Sequence, residues 1–257
     1  MSQITGTLAR IIKELLRDRA IMFWSVFFPI VLLLMARFIS MSNASASDLA
    51  AGTGFFTLAM IAFAIMMAGM VDIPANIAHD RNRGMLTKLK SMPVSPTKDF
   101  AGRILAFLVF SLIAIVIVLL IGILLGAQFS LTPIDLVESI GFLFLLILAS
   151  SGIGLILGTL IESEQGAAYT GIGLALITSF TAGLFSDYTS LPSILQSFSR
   201  VYPISSSTYS LVYMLVGEKV AGYNSLELSQ IVVTVSSSII LFAIGLTLYT
   251  RYCWRKE

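Results

Sequence analysis

Six stretches of this chain run without a charged residue: Ala20–Ala36, Leu49–Val71, Ile104–Pro133, Ser139–Ile161, Gln165–Ser186 and Leu228–Thr250. A helix crossing a bilayer takes roughly 20 apolar residues, within a range of about 17–25. The runs therefore predict six transmembrane helices, near 21–40, 54–73, 101–126, 136–160, 166–185 and 229–250. Backbone amides in lipid must find partners inside their own segment, which favours helices. The two-residue alternation of a membrane barrel is absent. The predicted fold is all-α, a polytopic membrane protein forming a single domain over 1–257.

Three segments between the runs carry patterns of their own. Over 1–20, Ile4, Leu8, Ile11, Ile12, Leu15 and Leu16 recur at helical spacing, with Lys13, Glu14, Arg17 and Asp18 on the remaining surface. This predicts an amphipathic helix lying in the membrane interface, and serves equally as a basic orientation anchor. The loop 79–96 is a basic island. Within it Met85, Leu86, Leu89 and Met92 make one apolar face flanked by Lys88 and Lys90, with Gly84 near the start and Pro93 and Pro96 at the end. On pattern alone, such a helix rests on anionic headgroups, each basic residue contributing about 1 kcal/mol. Docking to a soluble partner is the alternative. The third segment, 187–227, is uncharged over Val201–Gly217 but rich in Ser, Thr and Tyr. A seventh crossing there would put the basic tail on the wrong side. A pair of partly inserted, re-entrant helices punctuated by Pro192 and Pro203 is the cheaper arrangement, since irregular backbone at depth is tolerated where protein covers it.

Composition agrees with the pattern. The chain is 57% hydrophobic and 12% charged, against about 25% charged in soluble domains. The net charge of +2 gives no footprint for nucleic acid. Its distribution is more informative. With both termini inside, every Lys and Arg except Arg37, Arg200 and Lys219 falls on the cytoplasmic side, as the positive-inside rule requires. A basic arm, an apolar core and Ala44-Ser45-Ala46 imitate a signal peptide, but the long helix-patterned arm and the multispan continuation argue against cleavage. The lone Cys253 cannot form a disulfide within the chain.

Smaller signals concern packing. Span two holds Met60, Met66, Met67 and Met70, read as lipid-facing or gap-filling residues. Gly154 and Gly158 in span four, and Gly122 and Gly126 ending span three, permit close helix approach. Pro29 is expected to kink span one. Tyr249, Tyr252 and Trp254 are expected to form an aromatic belt at the inner interface.

Several chemistries lack their residues. There is no GxxxxGK[ST] loop for ATP. One His and one Cys make a metal site within the chain unexpected. Ser150 and Ser151 have no histidine partner in the apolar runs. No catalytic residue is expected. The six runs carry no Asp, Glu, Lys or Arg; Asp72, next to the second run near the inner edge of span two, is read first as an interfacial acid.

Four segments together resemble a known family. They are LLRDRAIMFWSVFFPIVLLL leading into span one, DRNRGMLTKLKSMPVSPTKDFAGRIL before span three, TAGLFSDYTSLPSILQSFSRVYPISSSTYSLVYMLVG, and the uncharged last span with its basic tail. In order and spacing the chain resembles type-2 permease subunits of ATP-binding-cassette exporters, the group that includes daunorubicin-resistance permeases. Asp80, Arg81, Gly84, Leu86 and Pro93 match the family's loop, whereas Asn82 and Met85 depart from it.

The resemblance implies that the island is a cytoplasmic coupling helix between spans two and three. Asp80, Arg81, Gly84, Leu86, Leu89 and Pro93 would then be the residues coupling it to a cytoplasmic ATPase subunit. ATP and Mg would be bound by that partner, and this chain would hold no cofactor and no metal. It further implies a second permease subunit, identical or related, and a prokaryotic plasma membrane with both termini cytoplasmic. The helices begun by Pro192 and Pro203 would form the extracellular gate. The substrate would be amphipathic, drug-like or lipid-like, at a site the sequence does not identify. A secondary transporter or channel, and a regulatory membrane subunit without transport of its own, remain the alternative functions.

Overall fold

The computed structural model describes residues 3–40, 45–85, 96–130, 132–186 and 188–253. Among the described residues there is no strand. The longer helices are α1 (Gln3–Arg17), α2 (Arg19–Ile39), α3 (Ser47–Asn82), α4 (Pro96–Leu124), α5 (Pro133–Leu160), α6 (Glu164–Thr181), α7 (Ser193–Val201), α8 (Pro203–Leu215) and α9 (Leu228–Cys253). Five of them, α2, α3, α4, α5 and α9, are long and apolar enough to cross a membrane. The chain is a multi-pass membrane protein. The expected fifth span corresponds to α6, which opens on Glu164 and Gln165 and is not among those five.

Local chemistry explains where the helices begin and end. Asp18 breaks α1 from α2 because its carboxylate accepts the amides of Ala20 and Ile21, at 2.8 and 3.3 Å. Thr132 and Asp135 form a reciprocal capping box before α5, with Pro133 in the first turn where its missing N–H costs nothing. Arg37 donates to the carbonyl of Leu125 at the end of α4, where helical acceptors lack amide partners.

The central element is α3. Its apolar window is 94% buried, against 17% for α9. Met60, Met66, Met67 and Met70 are all buried, so the methionines fill the core rather than face lipid. At 36 residues the helix is about 54 Å long, well beyond the roughly 30 Å hydrocarbon layer. The island's first residues therefore change identity. His79–Asn82 form the last turn of this long helix, not the start of a separate one, and the chain turns at Arg83–Gly84 with Gly84 at φ +67°. Glycine tolerates that left-handed geometry and commonly ends helices there. Leu86, Leu89 and Pro93, like Lys88, Lys90 and Trp254, lie outside the described residues.

Two prolines interrupt helices in the same way. Pro29 follows a π turn at Phe23–Phe27, and Pro74 follows one at Ala68–Asp72. The disruption expected at Pro29 takes the form of a widened turn just before the ring. The second π turn is gripped from two sides. A Cβ on Gly154 of α5 would overlap the Gly69 carbonyl, and one on Gly171 of α6 would overlap the Met70 carbonyl. The glycine spacing in span four thus serves packing within the chain.

Two other expectations shift. The apolar stripe of α1 does not lie free on the interface. Ile11 and Leu15 are buried in a core with Ile73, Ile77, Phe100 and Phe107. Tyr249 is also buried, its ring 5.9 Å from Phe100, so it contributes to that core and not to an aromatic belt. Tyr252 remains exposed. Outward, α4 presents Leu112, Val116, Leu120 and Ile123 as an exposed apolar stripe, which suits a lipid-facing surface.

Candidate functional site

The end of α3 is a junction. Successive helical residues are about 100° apart, so His79, Asp80 and Arg81 point to three different neighbours. His79 Nδ1 lies 2.8 Å from Glu164 Oε2 in the first turn of α6. Asp80 accepts two hydrogen bonds from the Arg10 guanidinium of α1, both 2.9 Å, and one of 2.7 Å from Arg103 of α4. Arg81 donates to the carbonyls of Gly158 and Thr159 in the last turn of α5, at 3.1 and 3.4 Å. The same nitrogen lies 3.3 Å from Cys253 Sγ at the end of α9. Three adjacent residues therefore reach α1, α4, α5, α6 and α9.

The Asp80 branch is fully buried on one side. The side chain of Arg103 is 0% exposed and that of Asp80 2%. Arg103 also lies 3.5 Å from Asp99, one turn earlier on α4, and donates to Asn76 of α3. Asn76 in turn donates to Glu14 at 3.2 Å, and Thr7 donates to Asp99 at 3.1 Å. Two carboxylates thus face two guanidiniums. Bidentate guanidinium–carboxylate pairing supplies strong, directional bonds. The hydrogen bonds to Asp80 hold Arg10 above its already high range, so it stays a cation. Burying such a set costs desolvation, and removing one member strands its partner's charge in apolar surroundings. The arrangement is a fixed electrostatic tie.

Arg81 has a different task. The last carbonyls of α5 have no amide partners of their own, and a cation there also meets the negative end of the helix dipole.

At the opposite end, Pro192 and Pro203 start α7 and α8. Most of α8 is buried, including Ser205, Ser206, Ser207, Thr208 and Ser210. Its hydroxyls and those of α7 serve the end of α6. Ser199 and Ser205 donate to the Ala182 carbonyl at 3.1 and 2.7 Å, and Tyr209 donates to Gly183 O at 2.8 Å. Arg200 stacks over the rings of Tyr188 and Tyr223, and donates to the Tyr188 hydroxyl at 2.6 Å.

Of the sequence-selected coupling residues, Asp80 and Arg81 meet in the junction and Gly84 makes the turn leaving it. The carboxylate of Asp80 is engaged within the chain, facing inward. Pro192 and Pro203 lie at the far end of the bundle. Sequence reasoning missed Arg10, Asn76, Asp99, Arg103 and Glu164 as members of the site. The Asp99–Arg103 spacing of one helical turn was a readable signal; the others are joined only by the fold.

A bundle of membrane-length helices around one buried helix, tied at one end by ion pairs, defines a multi-pass helical membrane protein. Residues 2–216 match the model of the ABC-2 type transporter family, and the chain belongs to that family as the permease component of an ATP-binding-cassette transporter. Comparison with curated proteins returns no match.

Proposed function

We propose that this chain is the permease subunit of an ATP-driven exporter and that the junction around Asp80 spreads force from the 83–96 segment among its helices. The observation that carries the reading is the reach of His79, Asp80 and Arg81 into five other helices from one turn. A displacement of the segment leaving Gly84 acts on that turn first. Leu86, Leu89 and Pro93 would touch the cytoplasmic ATPase subunit, which binds ATP and Mg, while Asp80 and Arg81 transmit inward. The partner need only favour one of two helix packings over the other for hydrolysis to drive the change.

Topology follows the same logic. Arg10, Lys13, Arg17, Arg81, Arg83 and Arg103 gather at the junction end, which favours a cytoplasmic location. In this reading α6 is the sixth crossing, its 18 residues spanning about 27 Å. A second permease, identical or related, completes the membrane unit, and α7 and α8 close its outer exit. The substrate is an amphipathic, drug-like or lipid-like molecule.

The test is ATP-dependent uptake into inverted vesicles carrying the chain with its native ATPase. Arg81→Gln is expected to keep the ATPase bound but to cut uptake several-fold. Leu89→Asp is expected to lose the ATPase on purification. Wild-type uptake by Arg81→Gln would remove the junction's role. Uptake by the purified chain with no ATPase would replace the exporter with a secondary carrier.

A further inference from the structure

One cleft of the bundle gathers cations that the junction does not use. It has a volume of about 900 Å³ and lies between α1, α2, the junction half of α3 and the start of α6. That is the upper end of ligand-sized cavities. Arg10 on its wall is held by Asp80. Lys13 and Arg17 of α1 and Arg83 at the end of α3 line it too, and are exposed. Their side chains make no ion pair among the described residues. The acids of the same wall each have a donor within the chain. Glu164 lies 2.8 Å from His79 Nδ1, Glu14 accepts from Asn76, the Asp18 carboxylate caps α2, and buried Asp72 accepts from Ser25. What the mouth leaves unused is therefore donor capacity, on one ammonium and two guanidiniums.

Farther along the same helices the lining turns apolar, with Ile21 and Trp24 of α2, Val71 of α3 and Ile172 of α6. Val71 lies eight residues before His79, and Ile172 eight after Glu164. On both helices the apolar part is thus about 12 Å from the charged part. The cleft is also bordered by surface suited to lipid. Phe23 and Phe27 beside Trp24 are exposed, as is Ile177 of α6. The site is amphipathic along its depth, cationic at the interface and apolar toward the bilayer interior.

We infer that this cleft holds an anionic phospholipid of the cytoplasmic leaflet, with its phosphate on Lys13, Arg17 and Arg83 and an acyl chain along Ile21, Trp24 and Ile172. Guanidinium forks meet phosphate oxygens in pairs, and the ammonium adds a point charge. A free phosphate or a nucleotide would leave the apolar wall uncovered. A cationic amphiphile would meet three cations that have no counter-ion, and the choline of a zwitterionic lipid would meet them as a like charge. The bound lipid bridges α1 to the turn at Arg83–Gly84 from which the 83–96 segment leaves. It is a resident component of the membrane, not cargo. The assignment goes beyond the exporter reading and takes from it only the cytoplasmic placement of the junction end.

Trp24 and Trp254 are the two tryptophans of the sequence, so Trp254→Phe leaves Trp24 as a reporter in the cleft. The full chain is placed in phosphatidylcholine nanodiscs with a varied fraction of chain-brominated lipid, because bromine quenches tryptophan at contact. Brominated phosphatidylglycerol should half-quench Trp24 at a fraction about tenfold lower than brominated phosphatidylcholine, since each basic residue near an anionic headgroup gives about fivefold. Lys13→Gln with Arg17→Gln should bring the two lipids within about twofold. Arg19→Gln with Arg251→Gln removes the same charge from exposed residues outside the cleft, and should keep the preference. Equal loss in both pairs of substitutions would mean general attraction to the basic end and would overturn the site. Equal quenching of the Trp24 reporter by the two lipids, without these Gln substitutions, would overturn it as well. If the Lys13 and Arg17 variant does not fold, Ala168→Phe decides, since it fills the cleft and keeps every cation. Loss of the preference supports the site, and a retained preference overturns it. Inorganic phosphate, against sodium chloride at matched ionic strength, should leave the quenching unchanged. Displacement of the lipid would assign the cations to a free phosphate instead. Absence of ATP-dependent transport would sink the exporter reading and leave these titrations as they are.

Discussion

At the junction end of the bundle, Asp80 is shared by Arg10 and Arg103, with Asp99 alongside. At the far end, the Ala182 and Gly183 carbonyls take hydroxyl donors from Ser199, Ser205 and Tyr209. Both clusters join helices distant in sequence, and both bury polar atoms among apolar helices. They differ in how their parts depend on each other. Neutral hydrogen bonds contribute about 1 kcal/mol each and fail one at a time. Buried charges are worth little as a complete set but cost about 3–5 kcal/mol when one partner is removed. The charged end thus holds or fails as a unit, and the hydroxyl end weakens by increments. A unit that shifts whole suits the end from which the 83–96 segment leaves.

The largest test of this contrast is Asp80→Asn. It leaves the fully buried Arg103 with Asp99 alone, at 3.5 Å, as a charge partner. The expected loss is about 3–5 kcal/mol, read as a lowered unfolding temperature of the purified protein in detergent. Adding Arg103→Met should restore part of that loss, because the stranded cation is gone and Asp99 keeps its hydrogen bond from Thr7. A single variant as stable as the wild type, or a double variant no better than the single, would erase the distinction between the ends.

Gly154→Ala probes the region between them. The added methyl meets the Gly69 carbonyl in the π turn that connects the junction half of α3 to the rest. Overpacking of this kind costs about 1–3 kcal/mol. The same thermal measurement reads it, and a loss below that of Asp80→Asn keeps the charged end as the dominant tie. A larger loss would move the pivot of the molecule to the π turn.

The two ends were also unequally legible from the chain. Pro192 and Pro203 marked the starts of α7 and α8, because a missing N–H and a fixed φ act locally. The membrane-length runs located α2, α3, α4, α5 and α9 for the same local reason. The junction was largely hidden. Arg10 and Asp80 lie 70 residues apart, and periodicity carries no information about pairing at that range. The spacing of Met85, Leu86, Leu89 and Met92 suggested one helix from Asp80 onward, yet the left-handed turn at Gly84 separates Asp80 from them. Arg10 and Arg103 fit the positive-inside pattern, which accounts for their charge without pointing to a partner. Asp72 was read as interfacial because its distance from the basic loop was visible and its burial was not.

At the hydroxyl end, Tyr209→Phe removes the donor to Gly183 O with little change of shape, and should cost about 1 kcal/mol. Ser205→Ala should cost less, because Ser199 still donates to the same carbonyl at 3.1 Å. The sharper measurement is the pair. With Ser199→Ala and Ser205→Ala combined, neither hydroxyl reaches Ala182 O, and a buried acceptor left without donors costs about 1–3 kcal/mol. The double loss should therefore exceed the sum of the two single losses, a coupling that a double-mutant cycle on unfolding temperature resolves. At the charged end the coupling has the opposite sign, since the second substitution there relieves the first. Equal signs at both ends would mean that neutral and charged clusters fail alike in this bundle, and the contrast would be lost.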